Sequence, residues 1–117
     1  MEPGTYNILV YERESLVLTF LLKDEDDTVF DLTGYTVKAK AVGTPDWMPA
    51  GNFDLAPSIT DAEAGEITIS RNDAQMGVLR IGTGEKPKWD MMITHTATAM
   101  SNVFLKGFLE LKKTQTP

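Results

Sequence analysis

The chain has 117 residues, a length typical of one domain, and its 42% hydrophobic and 24% charged content is ordinary for a globular protein. It contains no cysteine, which excludes a disulfide framework, a thiolate nucleophile and cysteine-ligated zinc. The formal net charge of -6 disfavours nucleic acid as a partner, because phosphate binding needs clustered lysine and arginine. We therefore predict a single domain over residues 1–117.

The N-terminus and the apolar runs bear on membranes and secretion. Met1-Glu2-Pro3-Gly4 lacks the cationic start and the hydrophobic stretch of a signal peptide. The longest apolar run, residues 16–22, is far shorter than the ~20 residues that a membrane-spanning helix needs. These patterns predict a protein that does not enter a membrane and stays where it is made.

Apolar residues alternate with others in the first third of the chain. In residues 15–22 leucine or phenylalanine recurs at every second position, which predicts a strand with one buried face. The acidic run at residues 24–27 predicts a solvated hairpin turn. A bend is predicted at residues 31–34, with Gly34 at a positive φ, before a second alternating strand at residues 35–41.

Turn-forming residues are dense in the middle of the chain. Glycine and proline in residues 42–51 predict a loop with Trp47 and Met48 at its middle. A weaker apolar pattern predicts a short strand within residues 53–59, and residues 61–65 predict a turn. The middle is therefore expected to hold little regular structure.

The following segment mixes a strand and a helix. Residues 66–70 alternate again and predict a strand with both isoleucines buried. Asn72 or Asp73 can cap one or two helical turns that run through Leu79, because a side-chain oxygen there accepts the free amide hydrogens of the first turn. This is the one helix that the sequence predicts.

A loop at residues 82–87 then precedes a strand in which Trp89, Met91 and Ile93 share one face. Residues 97–102 are expected to supply the turn before the last strand. About seven short strands separated by turn signals favour an all-β, antiparallel, immunoglobulin-like β-sandwich with one short helix, since a parallel sheet would need crossover helices.

The last predicted strand, residues 103–112, has leucine and valine on one face and Phe104 and Phe108 on the other. Exposed aromatic side chains often anchor interfaces, so Trp47, Met48, Phe104 and Phe108 are the candidate interface residues. The alternative is that the Trp47 loop folds back over an end of the sandwich, and that both phenylalanines lie under a neighbouring strand or the helix.

No pattern indicates catalysis, a cofactor or a metal. His95 is the sole histidine, and no nucleophile motif lies near it. The carboxylates of the acidic run at residues 24–27 could in principle bind calcium. However, Val29 and Tyr35 stand where the calcium loop of an EF-hand requires glycine and glutamate. We predict a non-enzymatic protein with no catalytic residues.

Several segments of the chain occur in the same order as in a known family of domains. They are a strand at residues 6–11, the strand at residues 16–22, the acidic hairpin, Asp31-Leu32-Thr33-Gly34-Tyr35, Gly65-Glu66-Ile67-Thr68-Ile69-Ser70, Trp89-Asp90 and Leu105-Lys106-Gly107. In this order the chain resembles small β-sandwich domains of tailed-bacteriophage virion proteins, including the N-terminal domains of baseplate and tail-fibre proteins. It departs from that pattern at residues 12–15 and at Asp26-Asp27, where the family usually has glycine-containing turns.

The resemblance implies a virion structural protein that assembles onto the tail, baseplate or capsid through protein–protein contacts. It also implies many copies, or a homo-oligomer, in the particle, with synthesis in the cytoplasm of the bacterial host. The alternative function is a stand-alone ligand- or glycan-binding module of a bacterial protein, because immunoglobulin-like sandwiches host many functions.

Overall fold

Nine strands and one short helix form within residues 4–11, 14–24 and 26–112, the part of the chain that the computed structural model describes. The helix is α1 (Asp73–Met76). In chain order the strands are β1 (Gly4–Thr5), β2 (Ile8–Tyr11), β3 (Leu16–Leu21), β4 (Tyr35–Val42), β5 (Asn52–Asp54), β6 (Ser58–Asp61), β7 (Glu66–Arg71), β8 (Lys88–His95) and β9 (Ser101–Lys112).

The strands form two sheets that pack against each other. The large sheet has the order β1-β9-β8-β4-β5, with β2 also paired to β9, and the small sheet has the order β3-β7-β6. In immunoglobulin terms β3, β7 and β6 take the positions of strands B, E and D, while β4, β8 and β9 take those of C, F and G. The predicted all-β sandwich with one short helix is confirmed.

Strand number and direction differ from the prediction in two respects. The weak strand predicted within residues 53–59 is two strands, because the chain crosses there from β5 in the large sheet to β6 in the small one. The sandwich is also not wholly antiparallel. Both N-terminal strands run parallel to β9, with Ile8 opposite Leu109.

The predicted hairpin across the acidic turn is confined to a single bridge between Lys23 and Val29. Beyond that bridge β3 pairs with β7 and β4 pairs with β8, so consecutive strands lie in different sheets. The turn itself is present, because the Asp24 carbonyl accepts a hydrogen bond from the Asp27 amide at 3.0 Å.

The core is built from the alternating faces that the sequence predicts. Trp89, Met91 and Ile93 of β8 are buried, and Ile67 and Ile69 of β7 are fully buried opposite them in the sandwich. Because side chains alternate across a strand, the same strands present polar residues to solvent. The core therefore follows from period-two patterning.

Turns and caps mostly confirm the local predictions. Gly34 and Gly65 have φ values of 83° and 68°, which other residues rarely adopt. Asn72 is the helix cap: its side-chain oxygen accepts a hydrogen bond from the Gln75 amide, and its own amide donates one to the Gln75 side-chain oxygen, which forms a capping box. The helix ends at Met76, earlier than predicted, and the turn after β8 is shorter than predicted because β9 begins at Ser101.

Candidate functional site

The four residues predicted to form an interface do not share one surface. Trp47, Met48 and Phe104 are only 5%, 1% and 6% exposed, whereas Phe108 is 44% exposed. The expectation that the first three present an exposed aromatic or apolar anchor is wrong. Phe108 alone retains the exposure that an interface anchor requires.

Trp47 and Met48 are buried because their loop folds back onto the segment that follows the helix. The Arg80 amide donates a hydrogen bond to the Trp47 carbonyl at 2.7 Å. Gly82 lies so close that a β-carbon there would be 2.8 Å from Cδ1 of the indole ring. The loop therefore folds back, as the alternative expects, and both side chains join the core; that it covers an end of the sandwich stays a prediction.

Phe104 is buried because β9 contains a bulge. Met91 pairs with Leu105 and Met92 pairs with Val103, so Phe104 is the extra residue on β9. A bulge re-aims the side chain at the extra position, which strict alternation cannot anticipate. Phe104 consequently joins the core, together with Leu109 further along the strand.

Phe108 belongs to a surface that we call the lysine face, on the outer side of the large sheet. The register sets side chains in rows across β4, β8 and β9, since directly paired residues lie on the same side of a sheet. Val42, Lys88 and Phe108 form one row, and Lys40, Asp90 and Lys106 form the next. The lysine face is defined by these six residues: Lys40, Val42, Lys88, Asp90, Lys106 and Phe108.

A groove of about 660 Å³ runs along the lysine face. Gly107 lines it, where a β-carbon would stand 2.1 Å from the Tyr6 carbonyl oxygen. The Asn7 side-chain oxygen accepts a hydrogen bond from the Phe108 amide at 3.0 Å, and Trp89 Nε1 donates one to the Tyr6 carbonyl at 2.7 Å. The short link between β1 and β2 is thereby held at one wall of the groove.

Lysines outnumber acids among the six residues of the lysine face although the whole chain carries a net charge of -6, and Asp54 of β5, which pairs with Lys40, adds a carboxylate at the edge of the second row. The face itself holds three lysines and one aspartate. Lys88 is in an exposed ion pair with Glu85 at 3.3 Å, but within the described residues Lys40, Lys106 and Asp90 form no ion pair. Two exposed apolar side chains, Val42 and Phe108, flank Lys88. The face can therefore contact an apolar and acidic partner surface.

His95 occupies the end of β8 near the turn into β9. Its Nδ1 lies 3.2 Å from the Thr98 hydroxyl, and its ring packs edge-on against Tyr35 with centroids 4.9 Å apart. These contacts give the side chain a structural place in the turn. They bring the Thr98 hydroxyl to the ring but no carboxylate.

The acidic turn uses its carboxylates locally. Asp24 accepts hydrogen bonds from the Asp26 and Thr28 amides and from the Thr28 hydroxyl. In the described part of the chain no three histidine, aspartate or glutamate residues are grouped as metal ligands would be. The turn is thus explained by its own hydrogen bonds.

These bonds predict a pH effect. The Thr28 hydroxyl holds the pKa of Asp24 below its usual 3.8, and the Thr33 hydroxyl does the same for Asp31. Both contributions stabilise the fold above pH 3.8 and are lost as the pH falls through the lowered values. Asp24→Asn with Asp31→Asn should therefore flatten the decline in the free energy of unfolding between about pH 5 and about pH 2.

Urea unfolding at a series of pH values measures this slope, and the effect should be small because both carboxyls are exposed. Asp26→Asn is the control, since only its backbone amide takes part in the turn. Identical slopes for the double variant and the unmodified chain would contradict the assignment.

Neither a protein-family model nor a curated protein matches this sequence. Within the described residues, no helix has the length and apolar content to traverse a bilayer. The surfaces of the sandwich and the order of segments in the sequence are therefore the features that bear on function.

Proposed function

We propose that this chain is a non-enzymatic structural protein of a bacteriophage particle, and that it assembles onto the tail, baseplate or capsid through the lysine face. The observation that carries the proposal is the exposed apolar pair Val42 and Phe108 set among lysines on three adjacent strands. The resemblance to virion β-sandwich domains supports the phage assignment. The location is then the virion, after synthesis in the host cytoplasm.

The lysine face has the composition of a protein-binding surface. Binding sites combine a few apolar or aromatic anchors with a polar rim, and the anchors contribute most of the affinity. Phe108 is the aromatic anchor, and Lys40 and Lys106 stand in the neighbouring row. Lysines favour an acidic partner and raise the rate of encounter. The partner is therefore expected to present an acidic group with apolar groups on either side of it, because Val42 and Phe108 flank Lys88.

The side chains of the lysine face lie on strands, so binding does not require a mobile loop to become ordered. All six residues of the lysine face lie on strands whose inner faces are anchored in the core. A preorganised surface loses less conformational entropy on binding than a mobile one. Assembly in many copies is also consistent with particle symmetry, in which one surface repeats the same contact.

Binding to particles tests the proposal. Particles are purified from the encoding bacterium after deletion of this coding sequence, and labelled chain is added back and sedimented with them. Val42→Ser with Phe108→Ser should weaken binding by about tenfold or more, because both anchors are lost. Raising the salt concentration should weaken binding of the unmodified chain, since the lysine contacts are screened.

Val78→Ser with Ile81→Ser is the matched control, because these exposed apolar residues lie outside the lysine face, 55% and 41% exposed. This control should bind like the unmodified chain. Failure of the unmodified chain to sediment with the particles, or equal binding by the Val42 and Phe108 variant, would count against the proposal.

The groove favours one alternative function, a glycan-binding module. Thr5, Asn7 and Asp90 supply polar groups along its length, and Phe108 supplies an exposed ring. Specific binding on a glycan array that Phe108→Ser abolishes, in the absence of any binding to particles, would favour this alternative.

A further inference from the structure

The edge of the small sheet is formed by β3, which pairs with β7 on one side only in the described chain. In the immunoglobulin arrangement the first strand covers this edge by pairing with strand B. Here β1 and β2 pair with β9 in the other sheet. Among the described residues, no strand pairs with the outer backbone N–H and C=O groups of β3.

The other sheet edges carry features that discourage strand addition. β5 has only three residues, and the edge formed by β1 and β2 is interrupted at Tyr6 and Asn7. β6 has an irregularity between Ile59 and Asp61. Shortness, interruption and bulges are the devices that protect edges from pairing. β3 has none of them, since it runs for six residues without charge, proline or bulge.

Both faces of β3 are incompletely covered. Val17 and Leu21 on the outer face are 65% and 60% exposed. Leu18 and Phe20 face the core but are only partly buried, whereas Ile69 on the neighbouring strand is fully buried. The core is therefore only partly closed along this edge, where Leu16 is buried and the Tyr6 ring packs edge-on against Phe20, with ring centroids 5.3 Å apart. A strand added there would cover the remaining apolar surface on both faces.

The sequence of β3 is complementary to itself about Thr19. If two copies pair antiparallel with Thr19 opposite Thr19, then Val17 of each copy lies opposite Leu21 of the other, and Leu18 lies opposite Phe20. This register keeps inward residues on one face and outward residues on the other, as a buried face requires. This pairing brings no like charges together, because β3 contains no charged residue.

We propose that β3 pairs with β3 of a second copy, giving a two-fold dimer in which the two three-stranded sheets join into one. The proposal goes beyond the proposed function, and does not depend on it. The lysine face lies on the other sheet, so the dimer presents two such faces. Each copy carries a net charge of -6, so salt should strengthen the dimer by screening their repulsion.

Sedimentation equilibrium of the full chain, from micromolar to millimolar concentration, tests the dimer. Position 19 lies opposite itself in the proposed register, so Thr19→Lys places two lysines together, and Thr19→Glu places two glutamates together. Each variant should weaken the dimer by about tenfold or more, because like charges oppose pairing. An equimolar mixture of the two variants should restore it, since lysine then faces glutamate.

Ser58→Lys is the control, because it adds the same charge to the outer face of the small sheet but on β6. It should dimerise like the unmodified chain, and circular dichroism should show all variants folded. A chain that is monomeric throughout the concentration range would overturn the proposal. So would a dimer unaffected by Thr19→Lys, or a mixture that fails to restore it.

Discussion

Phe104→Ala is expected to lower the free energy of unfolding by about 3–5 kcal/mol, whereas Phe108→Ala is expected to lower it by only about 1 kcal/mol. The two phenylalanines are four positions apart on one strand, yet the bulge sends Phe104 into the core and leaves Phe108 on the lysine face. Truncating a buried ring loses its transfer free energy and leaves a cavity. Truncating Phe108, which is 44% exposed, loses only part of the transfer free energy and leaves no closed cavity.

Urea unfolding followed by tryptophan fluorescence measures both variants under one set of conditions. Leu109→Ala is a useful reference variant, because Leu109 is fully buried on the same strand. Its truncation should lower the free energy of unfolding by about 2–5 kcal/mol. Equal losses for Phe104→Ala and Phe108→Ala would contradict the placement of the bulge. Equal losses would mean that the two phenylalanine rings are buried to the same extent.

Gly107→Ala should also destabilise the fold strongly, by about 3 kcal/mol or more, because a new side chain would meet backbone. A β-carbon at this position would lie 2.1 Å from the Tyr6 carbonyl oxygen and 2.9 Å from the Asn7 side-chain oxygen. Relief requires the link between β1 and β2 to move away. That movement would break the hydrogen bond from Trp89 Nε1 to Tyr6.

Thermal unfolding and amide hydrogen exchange together test this result. Exchange should accelerate first in β1 and β2, because their pairing with β9 is what the alanine displaces. Gly84→Ala is the control, since its β-carbon meets open space and only the positive φ of 84° is strained, at about 1–2 kcal/mol. A smaller loss for Gly107→Ala than for Gly84→Ala would contradict the close approach at Tyr6.

Much of the fold follows from the sequence because local rules decide it. Alternation places Ile67, Ile69 and Trp89 inward, and Asn72 caps the helix through its own side chain. The direction of each strand and the strand it pairs with are set by tertiary contacts instead. The parallel pairing of β2 with β9 joins residues about a hundred positions apart, and no local pattern encodes it.

The candidate site was less predictable than the fold. Alternation predicts the outward position of Phe108, but a loop rich in glycine and proline can pack inward as readily as it can protrude, so no sequence pattern indicates that Trp47 and Met48 are buried. Alternation predicts that the side chains of Lys40 and Lys88 point outward. It does not predict the strand register, which places both lysines beside Phe108 and Val42.

The lysine face and the β3 edge give the sandwich two surfaces on opposite sheets. A dimer formed through β3 would present two lysine faces, and two linked sites can bind far more tightly than one when geometry lets both engage. Loss of the dimer should then weaken particle binding without altering the lysine face. Thr19→Lys in the add-back assay separates these two contributions.

Cryo-electron microscopy of particles made with and without this coding sequence tests the central claim most directly. We predict density for the sandwich at symmetry-repeated positions on the tail, baseplate or capsid, with Phe108 and Val42 buried against a neighbouring protein. Particles that are identical with and without the coding sequence, with the chain absent from both, would contradict a structural role in the virion.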